Sequence, residues 1–189
     1  WLVQRDSAPI VLISISKGGS DIKLALNQPD ADQAFRNVAF WFNLSGILDG
    51  APLVSWLFSD SLRSRWTRLL LRRYCPDLRI ARELERRPDS PLARPLRLPP
   101  HMEAIHVVGF PLARHAANRL SRRNYARVEP NGPNDGGGIL LADAVGWPGL
   151  LYPIWSADHY LRPTAFEIDR ITTALFEHAA RELSARVSL

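Results

Sequence analysis

The sequence predicts an α/β fold, a mainly parallel sheet with helices on its faces, and three observations carry that expectation. Four short apolar runs rich in β-branched or aromatic residues, at 10–15, 38–44, 104–110 and 149–155, read as strands buried in a sheet. Stretches of helical composition separate them, as the crossovers of a parallel sheet require. With 46% hydrophobic and 23% charged residues, the 189-residue chain is too apolar for a disordered segment, so one compact core is expected.

Taken in order, residues 1–6 have the composition of a helix tail, and Ile10-Val-Leu-Ile-Ser-Ile follows as a strand buried on both faces. It ends at Ser16-Lys-Gly-Gly, and residues 20–28 form a helix that Pro29 helps stop. The second strand, Val38-Ala-Phe-Trp-Phe-Asn-Leu, runs into the turn Leu48-Asp-Gly-Ala-Pro. Residues 52–100 then form a long insertion. Leu53, Trp56, Leu57, Leu62, Trp66, Leu69, Leu70 and Tyr74 recur at roughly helical spacing with arginines between them, which predicts a basic amphipathic helix or helix pair. A further helix is expected over 77–87, and Pro88, Pro91, Pro95, Pro99 and Pro100 make an extended return path. The third strand spans 104–110. Pro153 in the fourth removes a ladder hydrogen bond, which puts that strand near a sheet edge or at a bulge. Thr164-Ala-Phe-Glu167 fits a capping box opening a last helix, whose apolar face is Ile168, Ile171, Leu175, Ala179 and Leu183. The chain divides into 1–51, 52–100 and 101–189 within one structural domain.

Composition excludes several classes. Arg, Asp or Pro interrupts every apolar stretch before the roughly 18 residues that span a bilayer. The single Cys75 forms no internal disulfide and anchors no Cys-rich zinc site. The net charge of +5 is concentrated in arginines between Arg63 and Arg123, which reads first as a solvated helix face. It also leaves room for a peripheral contact between the basic insertion and an anionic membrane surface. Nucleic acid is not an expected partner, because the arginines match no recognition motif. His101, His106, His115 and His178 lack metal-ligand spacing, and His106 inside an apolar strand reads as a satisfied structural histidine, so neither a metal nor a cofactor is predicted. Gly136-Gly-Gly lacks the Lys-Ser/Thr ending of a phosphate loop.

The residues with chemistry in them begin at Ser14-Ile-Ser16-Lys17-Gly18-Gly19, placed between strand and helix. This is the setting of a nucleophile elbow, where a serine on a strained turn needs small residues two before and two after it. Ser14 and Gly18 meet that rule, although the usual pattern has glycine at the position of Ser14. The competing reading is a plain strand-to-helix turn with Ser16 as helix cap. A serine at its free pKa is a poor nucleophile, so a base and an orienting acid are needed. His159 follows the fourth strand, and Asp135 lies in the turn-rich Asn131-Gly-Pro-Asn-Asp-Gly-Gly-Gly. Asp49 and Asp158 are rival acids, and Asp143 is expected on a following helix.

In this order the chain resembles the C-terminal half of an α/β-hydrolase of the serine esterase or lipase type. The resemblance rests on the Ser16 elbow, the Asn134-Asp135-Gly136 loop, the Asp158-His159 loop, and Asn43-Leu-Ser-Gly-Ile-Leu-Asp-Gly-Ala-Pro after the second strand, where the family often inserts a cap. It covers nearly the whole chain but about half of the family's usual domain. The resemblance implies ester cleavage through Ser16, His159 and Asp135, with the Lys17 N–H as one oxyanion donor. The second donor would lie on an N-terminal part absent from this sequence, supplied by a longer parent chain or a partner polypeptide. A chain that opens on Trp1 rather than Met fits an excised piece, which leaves the compartment open with a slight lean to the cytoplasm. Trp56, Leu57, Trp66 and Leu70, with Phe58, are the expected lining of an apolar acyl pocket under the cap, and a small-molecule ester is the expected ligand. The alternative is a noncatalytic binding or interaction module on the same fold.

Overall fold

The structure is a computed structural model that describes residues 8–112, 119–161 and 168–187. Four parallel strands, β1 (Ile10–Ile15), β2 (Val38–Leu44), β3 (Glu103–Phe110) and β4 (Leu150–Trp155), pair in chain order. The helices are α1 (Lys17–Leu26), α2 (Ala31–Ala34), α3 (Pro52–Phe58), α4 (Leu62–Arg72), α5 (Arg79–Glu83), α6 (Arg119–Val128), α7 (Leu141–Ala144) and α8 (Ile168–Val187). Among the described residues, no helix is long and apolar enough to cross a membrane.

Side-chain alternation along the strands builds two apolar layers. Phe40, Phe42 and Leu44 of β2 join Ile105 and Val107 of β3 under Leu175 and Ala179 of α8. On the opposite face Trp41, Leu48, Leu96, Met102 and Ala104 close over Leu26 of α1. β2 is buried along its whole length, and a side chain such as Phe42 contributes about 1.5–3 kcal/mol by leaving water. A third cluster, Ile47, Ala51, Val108, Phe110, Ile139 and Ala144, lies at the carboxyl ends of β2 and β3.

The expected apolar face of the last helix is seen at Ile171, Leu175, Ala179 and Leu183. The side chain of Ile168, the capping box at 164–167, His115 and residues 1–6 lie outside what the structure describes. β4, which carries Pro153, ends the sheet as its proline predicts. The basic insertion is a helix pair, α3 and α4. The helix expected over 77–87 is shorter, and the proline-rich return path is built into the core: Leu92 and Leu96 are buried, and the Lys23 ammonium donates to the Leu92 carbonyl at 2.8 Å.

Two expectations need correction. The first helix begins at Lys17 and not at residue 20, so it starts directly on the serine turn. β1 is not buried on both faces: it lies at the end of the sheet, with Ile13 47% and Ile15 49% exposed. Its apolar run is that of an inner strand, but among the described residues only the β2 side is paired.

Close backbone approach joins α1 to the turn after β2. A Cβ on Gly19 would stand 2.6 Å from Gly46 Cα and 2.7 Å from Asn43 Oδ1. Neither neighbour can yield without moving backbone or a buried amide. Gly19→Ala is therefore expected to lower stability by about 1–3 kcal/mol, read as a reduced urea midpoint at unchanged m-value; an unchanged midpoint would contradict this packing.

Candidate active site

The carboxyl ends of parallel strands gather their loops on one side of the sheet. The first loop is the turn at Ser16. Its backbone has φ 53° and ψ −119°, a region costly for a residue with a Cβ. Local hydrogen bonds hold it there: Ser16 N–H donates to the Leu44 carbonyl at 3.3 Å, and the Ser16 carbonyl accepts from Ile47 N–H at 2.9 Å. The Ser20 hydroxyl donates to the Ile47 carbonyl at 2.5 Å. The size rule is met, since a Cβ on Gly18 would meet Ser14 Cβ at 3.4 Å, an ordinary contact. Ser16 precedes α1 but makes no side-chain cap bond, so the capping alternative fails. Its hydroxyl lies 2.9 Å from His159 Nε2 instead.

The second loop carries Asp135. The residue is fully buried, with Oδ1 accepting from the N–H groups of Gly138 and Ile139, each at 2.8 Å. Oδ2 is left to face His159 Nδ1 at 2.5 Å. A short antiparallel bridge, Asn134 to Leu140, closes the base of this loop. Its third glycine has a steric reason: a Cβ on Gly138 would come 2.7 Å from both Cε1 and Nδ1 of His159.

The third loop follows β4 and carries His159, stacked edge-on against Tyr160 at 5.2 Å. Burial disfavours its charged form, but the charge and hydrogen bond of Asp135, with a further contribution from Asp158, outweigh burial and hold its pKa above the ordinary 6.5. With Nδ1–H donating to the Asp135 carboxylate, Nε2 carries the lone pair and accepts from the Ser16 hydroxyl. The arrangement can therefore take a proton from Ser16. Lys17 opens α1, so its N–H belongs to the helix's first turn, where backbone N–H groups have no intrahelical acceptor.

The rival acids are engaged elsewhere. Asp49 accepts from Lys23 at 2.8 Å and from the Trp147 indole at 2.6 Å. Asp143, on α7 as expected, pairs with Arg86. Asp158 Oδ1 accepts from Tyr160 N–H at 2.9 Å and shapes the base loop.

A cavity of about 210 Å³ opens beside Ser16 and His159, walled by Ile47, Ala51, Leu53 and Val54 on one side and by Ser121 and Asn124 of α6 on another. The expected lining is not there. Trp56 lies under the Arg127 guanidinium, 4.0 Å from its ring centre, and Trp66 and Leu70 sit on the outer face of α4, 65% and 63% exposed. Leu57 is half-buried away from the cavity. Helical spacing identified an apolar stripe on α4, but that stripe faces outward. Leu53 and Val54 belong to α3, which a bond to the Asp135 loop ties beside Ser16: Leu53 N–H donates to the Gly137 carbonyl at 3.0 Å. Ser121 and Asn124 carried no sequence signal beyond lying one helical turn apart.

No family model matches the sequence, and no curated protein matches it. Solved structures do. The chain superposes on a metagenomic carboxyl esterase with a TM-score of 0.61 at 24% identity, covering 84% of this chain and 48% of that one. It also superposes on a Bacillus licheniformis lipase in its mature form with a TM-score of 0.51 at 19% identity, covering 82% of this chain and 60% of that one. The chain thus spans about half the length of the esterase and three-fifths of the lipase, and its fold is α/β-hydrolase-like.

The raised pKa of His159 has a definite sign. A histidine whose folded pKa is raised adds stability that is full below the unfolded value near 6.5 and is lost as pH rises through the folded value. An NMR titration of the His159 ring is expected to give a midpoint above 6.5 that moves downward in Asp135→Asn. A midpoint indifferent to that substitution would detach Asp135 from the imidazole.

Proposed function

We propose that this chain carries the catalytic part of a serine hydrolase that cleaves carboxylic esters. The observation that supports it best is the serial hydrogen bonding of Ser16 Oγ, His159 Nε2, His159 Nδ1 and Asp135 Oδ2, at 2.9 and 2.5 Å across three loops. The strained backbone of Ser16 adds to it.

In this reading Ser16 Oγ attacks the ester carbonyl carbon while its proton passes to His159 Nε2. The charged imidazole is stabilised by Asp135, whose three hydrogen bonds hold it in place. The tetrahedral oxyanion faces the Lys17 N–H. Its collapse breaks the bond to the alcohol oxygen, which takes the proton from Nε2 and leaves an acyl group on Ser16. Water, deprotonated by the same nitrogen, then attacks the acyl carbonyl and releases the acid and the free hydroxyl. Ile47, Leu53 and Val54 give the acyl side of the ester an apolar wall.

The reading includes one more strand. The edge of β1, unpaired among the described residues, and the exposed Ile13 and Ile15 fit a further parallel strand from a longer chain or a partner polypeptide, whose loop would bring the second oxyanion donor. Losing such a donor costs about 10²- to 10³-fold in rate. The 189 residues alone should therefore react with a fluorophosphonate more slowly than the intact protein, by about that factor.

Fluorophosphonate labelling of the intact protein, with the adduct located by mass spectrometry, tests the core of the proposal. An adduct is expected on Ser16, absent in Ser16→Ala and slowed at least about 10³-fold in His159→Ala. The acid limb of kcat/KM should lie above pH 6.5, because the protonated imidazole cannot accept the Ser16 proton and its pKa is raised. A folded protein that takes no adduct would point to the noncatalytic binding module.

A further inference from the structure

Behind the Ser16 turn, three buried polar side chains stand in one row across the sheet. The register pairs Ser14 of β1 with Asn43 of β2, and Asn43 with His106 of β3. All three are buried, Asn43 and His106 completely. The Trp41 indole donates to Ser14 Oγ at 2.9 Å, and Ser14 Oγ donates to Asn43 Oδ1 at 3.0 Å. Asn43 Nδ2 lies 3.0 Å from His106 Nδ1, and His106 Nε2 lies 2.9 Å from the Pro148 carbonyl.

Only one arrangement of protons satisfies this row. An indole can only donate and a carbonyl can only accept, so both ends are fixed. Ser14 must pass its proton on to Asn43, the Asn43 amide nitrogen must then face His106, and Nδ1 must hold a lone pair with the hydrogen on Nε2. A second ring proton would oppose the Asn43 amide hydrogens. Turning that amide over would aim its nitrogen at a Ser14 oxygen already receiving the indole proton, and would leave the Ser14 proton without an acceptor.

We infer that Asn43 and His106 are positioning residues for Ser16: the row holds the strained turn in place while His106 is neutral, and protonation of His106 releases it. The inference rests on the reading of Ser16 as nucleophile. The mechanical link is short. A Cβ on either Gly46 or Gly19 would run into Asn43 Oδ1, and Leu44 and Ile47, which follow Asn43 and Gly46 in the chain, make the two backbone hydrogen bonds that fix Ser16.

The surroundings of His106 oppose its charge. Burial lowers its pKa, against smaller contributions from its bond to Pro148 and from the charge of Asp49. Asp49, from the turn after β2, is the acid that faces it, and that carboxylate is paired with Lys23 of α1. Trp41 and Trp147 pack edge-on against the ring at 5.7 and 5.1 Å, and its partner on β4 is Leu151. Ser14 also gains a role here, because glycine at that position would leave the Trp41 indole without its acceptor.

His106→Asn and His106→Leu, made in the intact protein, test the inference. The shorter amide can place an oxygen where Nδ1 lies and cannot titrate, whereas leucine removes the acceptor. Leucine should lower kcat about 10- to 100-fold with KM little changed, and raise amide hydrogen exchange of residues 16–20 relative to α8. Asparagine should restore most of both. Wild type should lose protection of residues 16–20 as pH falls below 6.5, after correction for intrinsic exchange, and His106→Asn should not. Equal behaviour of the two variants, or a wild-type turn indifferent to pH, would overturn the inference. If leucine prevents folding, the comparison of wild type with His106→Asn across pH decides alone. Normal fluorophosphonate labelling of Ser16 without this exchange pattern would sink the positioning role only. The exchange pattern without any labelling would sink the nucleophile reading and leave the role in holding the turn.

Discussion

The constraint on which the site depends is a backbone one: a serine forced to φ 53° between the end of β1 and the start of α1. An L-residue rarely adopts that conformation, and it persists only where the surroundings supply more than it costs. Here they do so from two sides. The N–H of Ser16 is hydrogen-bonded to the last residue of β2 and its carbonyl to the turn that follows, and that turn can approach because Gly19 and Gly46 have no side chains. The consequence is chemical. A relaxed turn would let the Ser16 hydroxyl cap α1; the strained one presents it to His159.

The three loops meet because the sheet is parallel. Successive strands deliver their carboxyl ends to the same edge, so residues separated by 143 positions in the chain stand 2.9 Å apart. The acid loop then orders its neighbours in both directions. Its N–H groups orient Asp135, its Gly138 leaves room for the imidazole, and its Gly137 carbonyl holds α3 so that Leu53 and Val54 wall the cavity. Electrostatics follow from the same placement: burial alone would lower the His159 pKa, and the carboxylate beside it reverses the sign.

The opposite edge of the architecture carries a different message. β1 has the composition of an inner strand and the exposure of an outer one, and the solved structures of similar fold are longer chains. Exposed isoleucines beside an unpaired strand edge are an arrangement that folded proteins generally cover.

Much of this was legible in the sequence because it depended on local pattern. Apolar runs of strand length, the Ser14-to-Gly19 turn and the glycine-rich acid loop are all properties of neighbouring residues, the order of Ser16, Asp135 and His159 is read directly along the chain, and all four strands appear where those runs lie. A helical stripe, by contrast, says that one face is apolar without saying which way it points. Trp66 and Leu70 were therefore indistinguishable from pocket residues until the fold left them exposed on the outer face of α4. The same holds for His106, which read as a structural histidine in an apolar strand, and for Asn43, which stood only at the head of the motif after the second strand, until the register placed them side by side. Periodicity and turn chemistry act over a few residues and survive in the bare sequence. Facing, register and the sign of a pKa shift depend on what arrives from elsewhere in the chain, and only the tertiary structure decided them.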